Sequence, residues 1–237
     1  MSRSCVRAAL LALACLPAAA FAHHGQDFLL VESPAVPHPG DVYLLTDAHA
    51  ALDADTAEQA GVEPALLVGA THRFAFELHG HVEKTRGDGW RYEATAPSVH
   101  VLLSDPERHD GVQVGLSAEY EIARERGEPD NAALRLSFAQ RGDVWSWGAN
   151  LIAEREQHGD TDTGAAFALR RRFSPRFALG GETRVGFDRA VGNETLLVAG
   201  WQREDRWAIK LGVGGLRTDD RGVVPVVHAA WVLQLKD

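Results

Sequence analysis

The sequence contains almost no cysteine and, after its first 22 residues, no long apolar run. Its two cysteines, Cys5 and Cys15, lie near the amino terminus, so the rest of the chain can form no disulfide, cysteine metal site or catalytic thiol. A transmembrane helix needs about 20 consecutive apolar residues, and no such stretch follows residue 22. These absences argue against a disulfide-stabilised scaffold, a thiol enzyme and a helical membrane protein.

Basic residues are in the minority, with 24 of them against 33 acidic residues. Two of the basic residues, Arg3 and Arg7, belong to the expected leader, and without them the net charge falls from −9 to −11. A nucleic-acid-binding protein needs a basic face, so we expect no nucleic-acid partner. The sequence also has no glycine-rich phosphate loop and no dinucleotide fingerprint.

Residues 1–22 have the three parts of a secretory signal peptide. A basic start is followed by a short apolar middle and by a small-x-small cleavage sequence that ends at Ala22. We expect cleavage there, which makes His23 the first residue of the mature chain. Residues 23–40 contain three prolines and little periodicity, and we interpret them as a periplasmic tail or plug segment before a domain over 41–237.

The centre of the chain alternates apolar and polar residues with a period of two, most clearly at 112–122, 134–139 and 145–154. This period gives each strand one apolar and one polar face. Strands of about ten residues suit a tilted crossing of a bilayer. We therefore predict an all-β fold, an antiparallel transmembrane β-barrel of about 12 strands (about two either way) after the cleaved signal peptide.

The connections and the aromatic residues favour a barrel over a soluble β-sandwich. Most even-numbered strands are followed by short turns, and the odd-numbered ones by longer, more charged loops, as in bacterial outer-membrane barrels. Aromatic residues near the short turns would form a ring at the periplasmic interface. These residues are Phe74, Phe138, Trp145, Phe173, Phe177, Trp201 and Trp207. A sandwich explains the alternation equally well, but not the ring or the strand length.

The signal peptide, the strand series and the terminal strand resemble those of Gram-negative outer-membrane β-barrels. The openings at 23–28 and 37–40 also resemble small, uncharacterised transporter-like barrels of the group associated with the MetA pathway of phenol degradation. This resemblance implies an outer-membrane location, contact with outer-membrane lipid, insertion by the barrel-assembly machinery and passage of small solutes. The chain departs from such barrels at its end, where Lys236 and Asp237 replace the usual aromatic residue.

The polar strand faces carry charges of both signs, and we interpret them as the lining of the lumen. On strand 4 the pattern places Arg91 and Glu93 on this face and Tyr92 and Ala94 on the other. The lining is either a solute-selecting pore or a filled interior neutralised by ion pairs. The other predicted lumen residues are Glu77, His79, His81, Glu119, Glu121, Arg135, Asn150, Glu154, Arg170, Glu182, Arg184 and Lys210.

These features lead us to expect a passive channel or transporter for small solutes, not an enzyme. The alternative is a non-conducting barrel, either structural or lipid-active in the manner of a hydrolase. Ser98, His100 and Asp105 are its candidate residues, since Ser98 and His100 share a strand face. No surrounding sequence signature of a nucleophile accompanies them.

Histidines provide a candidate metal site. His23 and His24 would stand at the mature amino terminus, and His79 and His81 point to the same side of one strand. Imidazole suits copper and zinc, so we consider these four residues as possible ligands of either metal. The alternative is that all four are ordinary hydrated side chains.

Overall fold

The structure is a computed structural model that describes residues 28–52, 58–85, 87, 89–106, 111–125, 129–157, 159–187, 193–203, 206–218 and 222–236. The expected signal peptide, its cleavage site and the candidate ligands His23 and His24 lie outside these residues. Within the described ranges, no helix is long and apolar enough to cross a membrane.

Twelve antiparallel strands form a closed barrel, in which each strand pairs with its neighbours in sequence and β1 pairs with β12. This confirms the predicted fold and strand number. The strands are β1 (Val42–Ala51), β2 (Glu58–Gly69), β3 (Phe74–Thr85), β4 (Trp90–Leu102), β5 (Gln113–Ala123), β6 (Asn131–Arg141), β7 (Trp145–Glu156), β8 (Thr161–Ser174), β9 (Phe177–Gly186), β10 (Asn193–Arg203), β11 (Trp207–Thr218) and β12 (Gly222–Lys236).

The outside of the barrel is apolar. Leu78 is 53% exposed and Leu197 is 65% exposed. Leu196, which precedes Leu197 and points inward, is 1% exposed. A soluble monomer rarely exposes such a continuous apolar surface, but a lipid-facing barrel wall requires it. Phe177 packs against Trp201 beside the β8–β9 turn, with ring centroids 5.2 Å apart, as expected for part of an interfacial aromatic ring.

Short connections join β2 to β3, β6 to β7 and β8 to β9 at one end of the barrel, which we call the turn end. We call the opposite end the loop end. The connection from β4, which ends at Leu102, to β5, which begins at Gln113, joins strands at the turn end too and is longer than the other three.

The predicted faces of β4 agree with the structure at Arg91 and Tyr92 but are wrong from Ala94 onward. His81 pairs with Ala94 but Val82 pairs with Tyr92, so Glu93 is an extra residue in a β-bulge. An extra residue reverses the inside–outside alternation on one side of the bulge. Ala94 is therefore buried at 3% exposure on the inner face, together with Ser98 and His100, and not on the lipid face.

Residues 28–41, which we call the inner segment, enter the barrel: residues 28–37 lie in the lumen, and residues 38–40 are exposed at its end. The inner segment runs from the β9–β12 wall to the turn end, where Gly40 N donates to Gly69 O at 2.9 Å. Phe28 and Val31 are buried against the apolar part of the wall that includes Ile152. Further along, Pro34 lies against Gly115 of β5, and the His38 backbone lies against Gly69 of β2.

Glycine in the wall makes room for the inner segment. A Cβ at Gly148 would lie 2.7 Å from the Phe28 ring, and one at Gly115 would lie 2.8 Å from Cβ of Pro34. Both distances are shorter than van der Waals contact, so the close packing of the segment depends on these glycines.

The two faces of the wall can be tested with one substitution type. Leu211→Arg puts a charge on the lipid side of β11, where Leu211 is 47% exposed, and should destabilise the folded barrel by about 2–4 kcal/mol at mid-bilayer depth. Ala133→Arg, which faces the lumen, should fold nearly as well as the wild type. Urea unfolding in lipid vesicles measures both, and equal losses would contradict the assignment of faces.

Candidate functional site

The lumen beside the inner segment holds a cavity of about 710 Å³. Acidic residues dominate its described lining, with eleven carboxylates against three arginines and five histidines. The carboxylates are Glu32, Asp47, Glu63, Glu77, Glu83, Glu119, Glu121, Glu154, Glu156, Asp162 and Glu194; the arginines are Arg135, Arg155 and Arg184; the histidines are His49, His79, His81, His100 and His228.

Arg91 and Glu93 are not among the described residues that line the cavity. The other twelve residues predicted to line the lumen fall into two groups. Nine of the twelve line the cavity: Glu77, His79, His81, Glu119, Glu121, Arg135, Asn150, Glu154 and Arg184. The other three, Arg170, Glu182 and Lys210, contact the inner segment. The Arg170 guanidinium, for example, lies 5.5 Å from the centroid of the Phe28 ring.

Wall side chains satisfy the backbone of the inner segment. One Glu182 oxygen accepts from Leu29 N at 2.8 Å and from Leu30 N at 2.7 Å. Lys210 Nζ donates to Phe28 O at 3.0 Å. Buried backbone groups need such partners, and this stretch has no strand beside it to provide them.

Asn150 on β7 holds the next part of the segment. Its side-chain oxygen accepts from Glu32 N at 2.7 Å, and its side-chain nitrogen donates to Glu32 O at 2.9 Å. The same nitrogen donates to Ser137 Oγ at 2.9 Å. Asn150 is 2% exposed, so these bonds are shielded from solvent.

The Glu32 side chain joins the inner segment to the ion pairs of the wall. Its oxygens lie 3.4 Å from His100 Nδ1 and 3.6 Å from an Arg135 nitrogen. His100 Nε2 is in turn 3.0 Å from Glu77, and Arg135 is 3.3 Å from Glu119. The network continues through Glu154, which lies 3.8 Å from Arg135 and 2.9 Å from Arg184.

A second cluster on the wall combines histidine and glutamate. Glu63, His79 and His81 each offer a ligand atom, and these atoms lie within 4.8 Å of one another. His79 Nε2 also lies 3.0 Å from Glu119, and His81 Nδ1 lies 3.4 Å from Glu121. These residue types are ligands of zinc and copper.

Sequence reasoning missed several residues of the cavity. Glu32 lies in a segment without periodicity, and Glu63 lies near the beginning of the strand that the sequence predicts over about 62–69. His100 was considered only as a hydrolase residue. His228 pairs with Glu194 at 2.7 Å and stacks on His49 with ring centroids 5.6 Å apart. The alternation of apolar and polar residues along β12 predicts an inward side chain for His228, but nothing in the sequence indicates its partners.

The hydrolase alternative has no matching geometry among the described residues. Ser98 lies beside His79, at 3.4 Å from Nε2, and His100 contacts Glu32 and Glu77. Glu119 approaches the same Nε2 of His79 as Ser98 does. A nucleophile–base–acid relay needs the histidine to bridge through both of its nitrogens, and this arrangement uses one.

Solved outer-membrane proteins share this fold. The COG4313 outer membrane channel from Pseudomonas putida F1 has a TM-score of 0.62 at 12% sequence identity, covering 85% of this chain and 97% of that one. The KdgM porin has a TM-score of 0.58 at 8% identity, covering 82% of this chain and 99% of that one. Its complex with disordered oligogalacturonate has 0.59 at 8% identity, with 83% and 99% covered.

No protein-family model and no curated protein matches the chain. At these low identities the structural likeness concerns the fold. Together with the apolar outer surface, it confirms the predicted fold, a membrane-spanning β-barrel of the kind that these outer-membrane proteins have.

The anchoring of the inner segment can be tested at Glu182. Glu182→Leu removes the acceptor of two backbone N–H groups, and an unsatisfied buried donor costs about 1–3 kcal/mol. We expect amide hydrogen exchange at Leu29 and Leu30 to accelerate about tenfold or more. Glu182→Gln keeps an acceptor oxygen and should exchange nearly as slowly as the wild type. Unchanged exchange in Glu182→Leu would contradict this anchoring role.

Proposed function

We propose that the protein is a passive channel for small solutes and that its inner segment is a plug. The observation that carries the proposal is the acidic cavity, which occupies the part of the lumen that the inner segment leaves free. Mutual repulsion makes so many carboxylates around a space of about 710 Å³ unfavourable for stability, so a purely structural role does not explain them.

The charge of the lining favours cationic or neutral solutes. Eleven carboxylates face three arginines, and clefts of one charge sign with low-dielectric walls concentrate ions of the opposite sign. The KdgM porin has been solved with oligogalacturonate, an anionic oligosaccharide. The acidic lining argues against a ligand of that charge in this barrel.

The plug role is supported by how the inner segment is held. The twelve-strand ring closes without it, and residues 28–37 are held to the wall by side-chain hydrogen bonds, ion pairs and apolar packing. Backbone hydrogen bonds to the wall begin only at the turn end, where Gly40 N donates to Gly69 O. Residues 28–37 can therefore move without opening the β-ladders of the wall. The Glu32 carboxylate links the segment to the charged groups of the cavity, because His100 and Arg135 both lie beside it.

A non-conducting barrel is the second candidate, and the inner segment is the observation that favours it. Phe28, Val31 and Val36 are buried inside the lumen, so the segment narrows the passage. If the inner segment does not move, the cavity is a closed binding site and not part of a passage. Electrical recording separates these two functions directly.

We expect the purified barrel to pass ions in planar bilayers and to prefer K⁺ over Cl⁻ in a salt gradient. Glu156→Gln combined with Asp162→Asn should reduce this preference, because both residues line the cavity. Asp143→Asn, an exposed turn residue outside the cavity, is the matched control and should leave the preference unchanged. A folded, inserted protein that never passes ions would refute the channel.

The plug can be locked by a disulfide between Val31→Cys and Gly148→Cys. Cγ1 of Val31 lies 2.9 Å from the position of a Cβ at residue 148, which suits the geometry of a disulfide. The same Cβ would lie 2.7 Å from the Phe28 ring, so the Gly148→Cys single variant is the reference for any displacement of that ring. We expect low conductance in the oxidised form and recovery after reduction. Each single-cysteine variant should be insensitive to reductant. Equal conductance of the locked and reduced forms would exclude movement of the inner segment as the gate.

A further inference from the structure

We propose that Glu63, His79 and His81 form a binding site for a divalent transition-metal ion on the lumen wall. The three residues lie on neighbouring strands, Glu63 on β2 and both histidines on β3. This site does not depend on whether the barrel conducts.

The β-ladder brings the three side chains together. Ala65 pairs with His79 and Val62 pairs with Val82, so Glu63 lies opposite His81 and faces the lumen with it. Residues two apart on one strand share a face, and directly opposite residues have Cβ atoms about 4.5–5.5 Å apart. One ligand atom from each of the three residues lies within 4.8 Å of the other two, so a single ion can reach all three.

Two further carboxylates hold the histidines as a metal site requires. Glu121 lies 3.4 Å from His81 Nδ1, and Glu119 lies 3.0 Å from His79 Nε2. Metal-binding histidines usually donate their second ring N–H to a carboxylate, which fixes the tautomer and strengthens the ligand. Here that leaves Nε2 of His81 and Nδ1 of His79 as the coordinating atoms.

The free nitrogen of His81 supports this assignment. Its Nε2 is buried and has no hydrogen-bond partner in the described part of the chain. A buried polar atom without a partner is costly, and coordination of a cation would satisfy it. Glu119 is itself fixed by Arg135 at 3.3 Å, so it is positioned to orient His79.

The donor set selects the class of metal. Two imidazoles and one carboxylate suit Zn²⁺ and Cu²⁺, whereas Mg²⁺ and Ca²⁺ prefer sites made entirely of oxygen. Three protein ligands also leave coordination positions open toward the cavity, as in zinc sites that exchange a bound water or substrate.

Calorimetric titration of the untagged, refolded barrel with Zn²⁺ tests the site. All proteins carry His23→Ala and His24→Ala, so that the amino terminus does not contribute ligands; the unmodified mature chain then measures what the terminus adds. We expect one ion per barrel, and a loss of affinity of at least 100-fold in a His79→Gln/His81→Gln variant. Ca²⁺ should bind at least 100-fold more weakly than Zn²⁺.

The matched control is His49→Gln/His228→Gln, which removes the other contacting histidine pair of the cavity and should bind Zn²⁺ like its parent. Co²⁺ provides a second readout, because its visible absorption should change in Glu63→Gln if Glu63 is a ligand. Electrophoretic mobility before and after heating establishes that each variant is folded. Equal Zn²⁺ affinity in the parent and in folded His79→Gln/His81→Gln would overturn the proposal, as would equal losses in both double variants.

Discussion

The structure depends on one constraint, which is that every backbone N–H and C=O group facing lipid must find a partner within the protein. The pairing of β1 with β12, from Val42 with Lys236 to Ala51 with Val226, meets this constraint by removing both sheet edges. Closure also separates an inside from an outside for each strand. The same alternation then gives a lipid-facing apolar surface and a lumen in which charged side chains remain solvated or paired.

The inner segment meets the same constraint in a different way. Residues 28–32 lie inside the closed wall with no strand edge beside them, and their backbone bonds to Glu182, Asn150 and Lys210 instead. Backbone pairing with the wall resumes only at the turn end, between Gly40 and Gly69. The polar lumen face therefore has two roles in two places. Part of it anchors the segment, and the remainder surrounds an open cavity. The filled interior is thus found where the inner segment packs, and the proposed pore lining corresponds to the remainder of the lumen.

Carboxylates outnumber the basic groups that pair with them around the cavity. Arg135 lies among Glu32, Glu119 and Glu154, so a single guanidinium faces three carboxylates. Histidines take the remaining positions beside carboxylates, as His100 does between Glu32 and Glu77. An excess of carboxylate in a space walled by protein draws cations. The proposed preference for cationic solutes and the proposed metal site on β2 and β3 both follow from this excess.

The sequence by itself determined the number of strands and most of their faces, because a period of two is a local property of the chain. It placed Glu77, His79 and His81 on one side of β3, where the structure has them facing the lumen. It misassigned Ala94, because a bulge depends on the pairing with β3 and not on local alternation. Only the tertiary structure brought Glu63 to His81 and Glu32 to His100. Cross-strand register and the path of the inner segment are set by closure and by packing between residues far apart in the chain, and no local pattern records either.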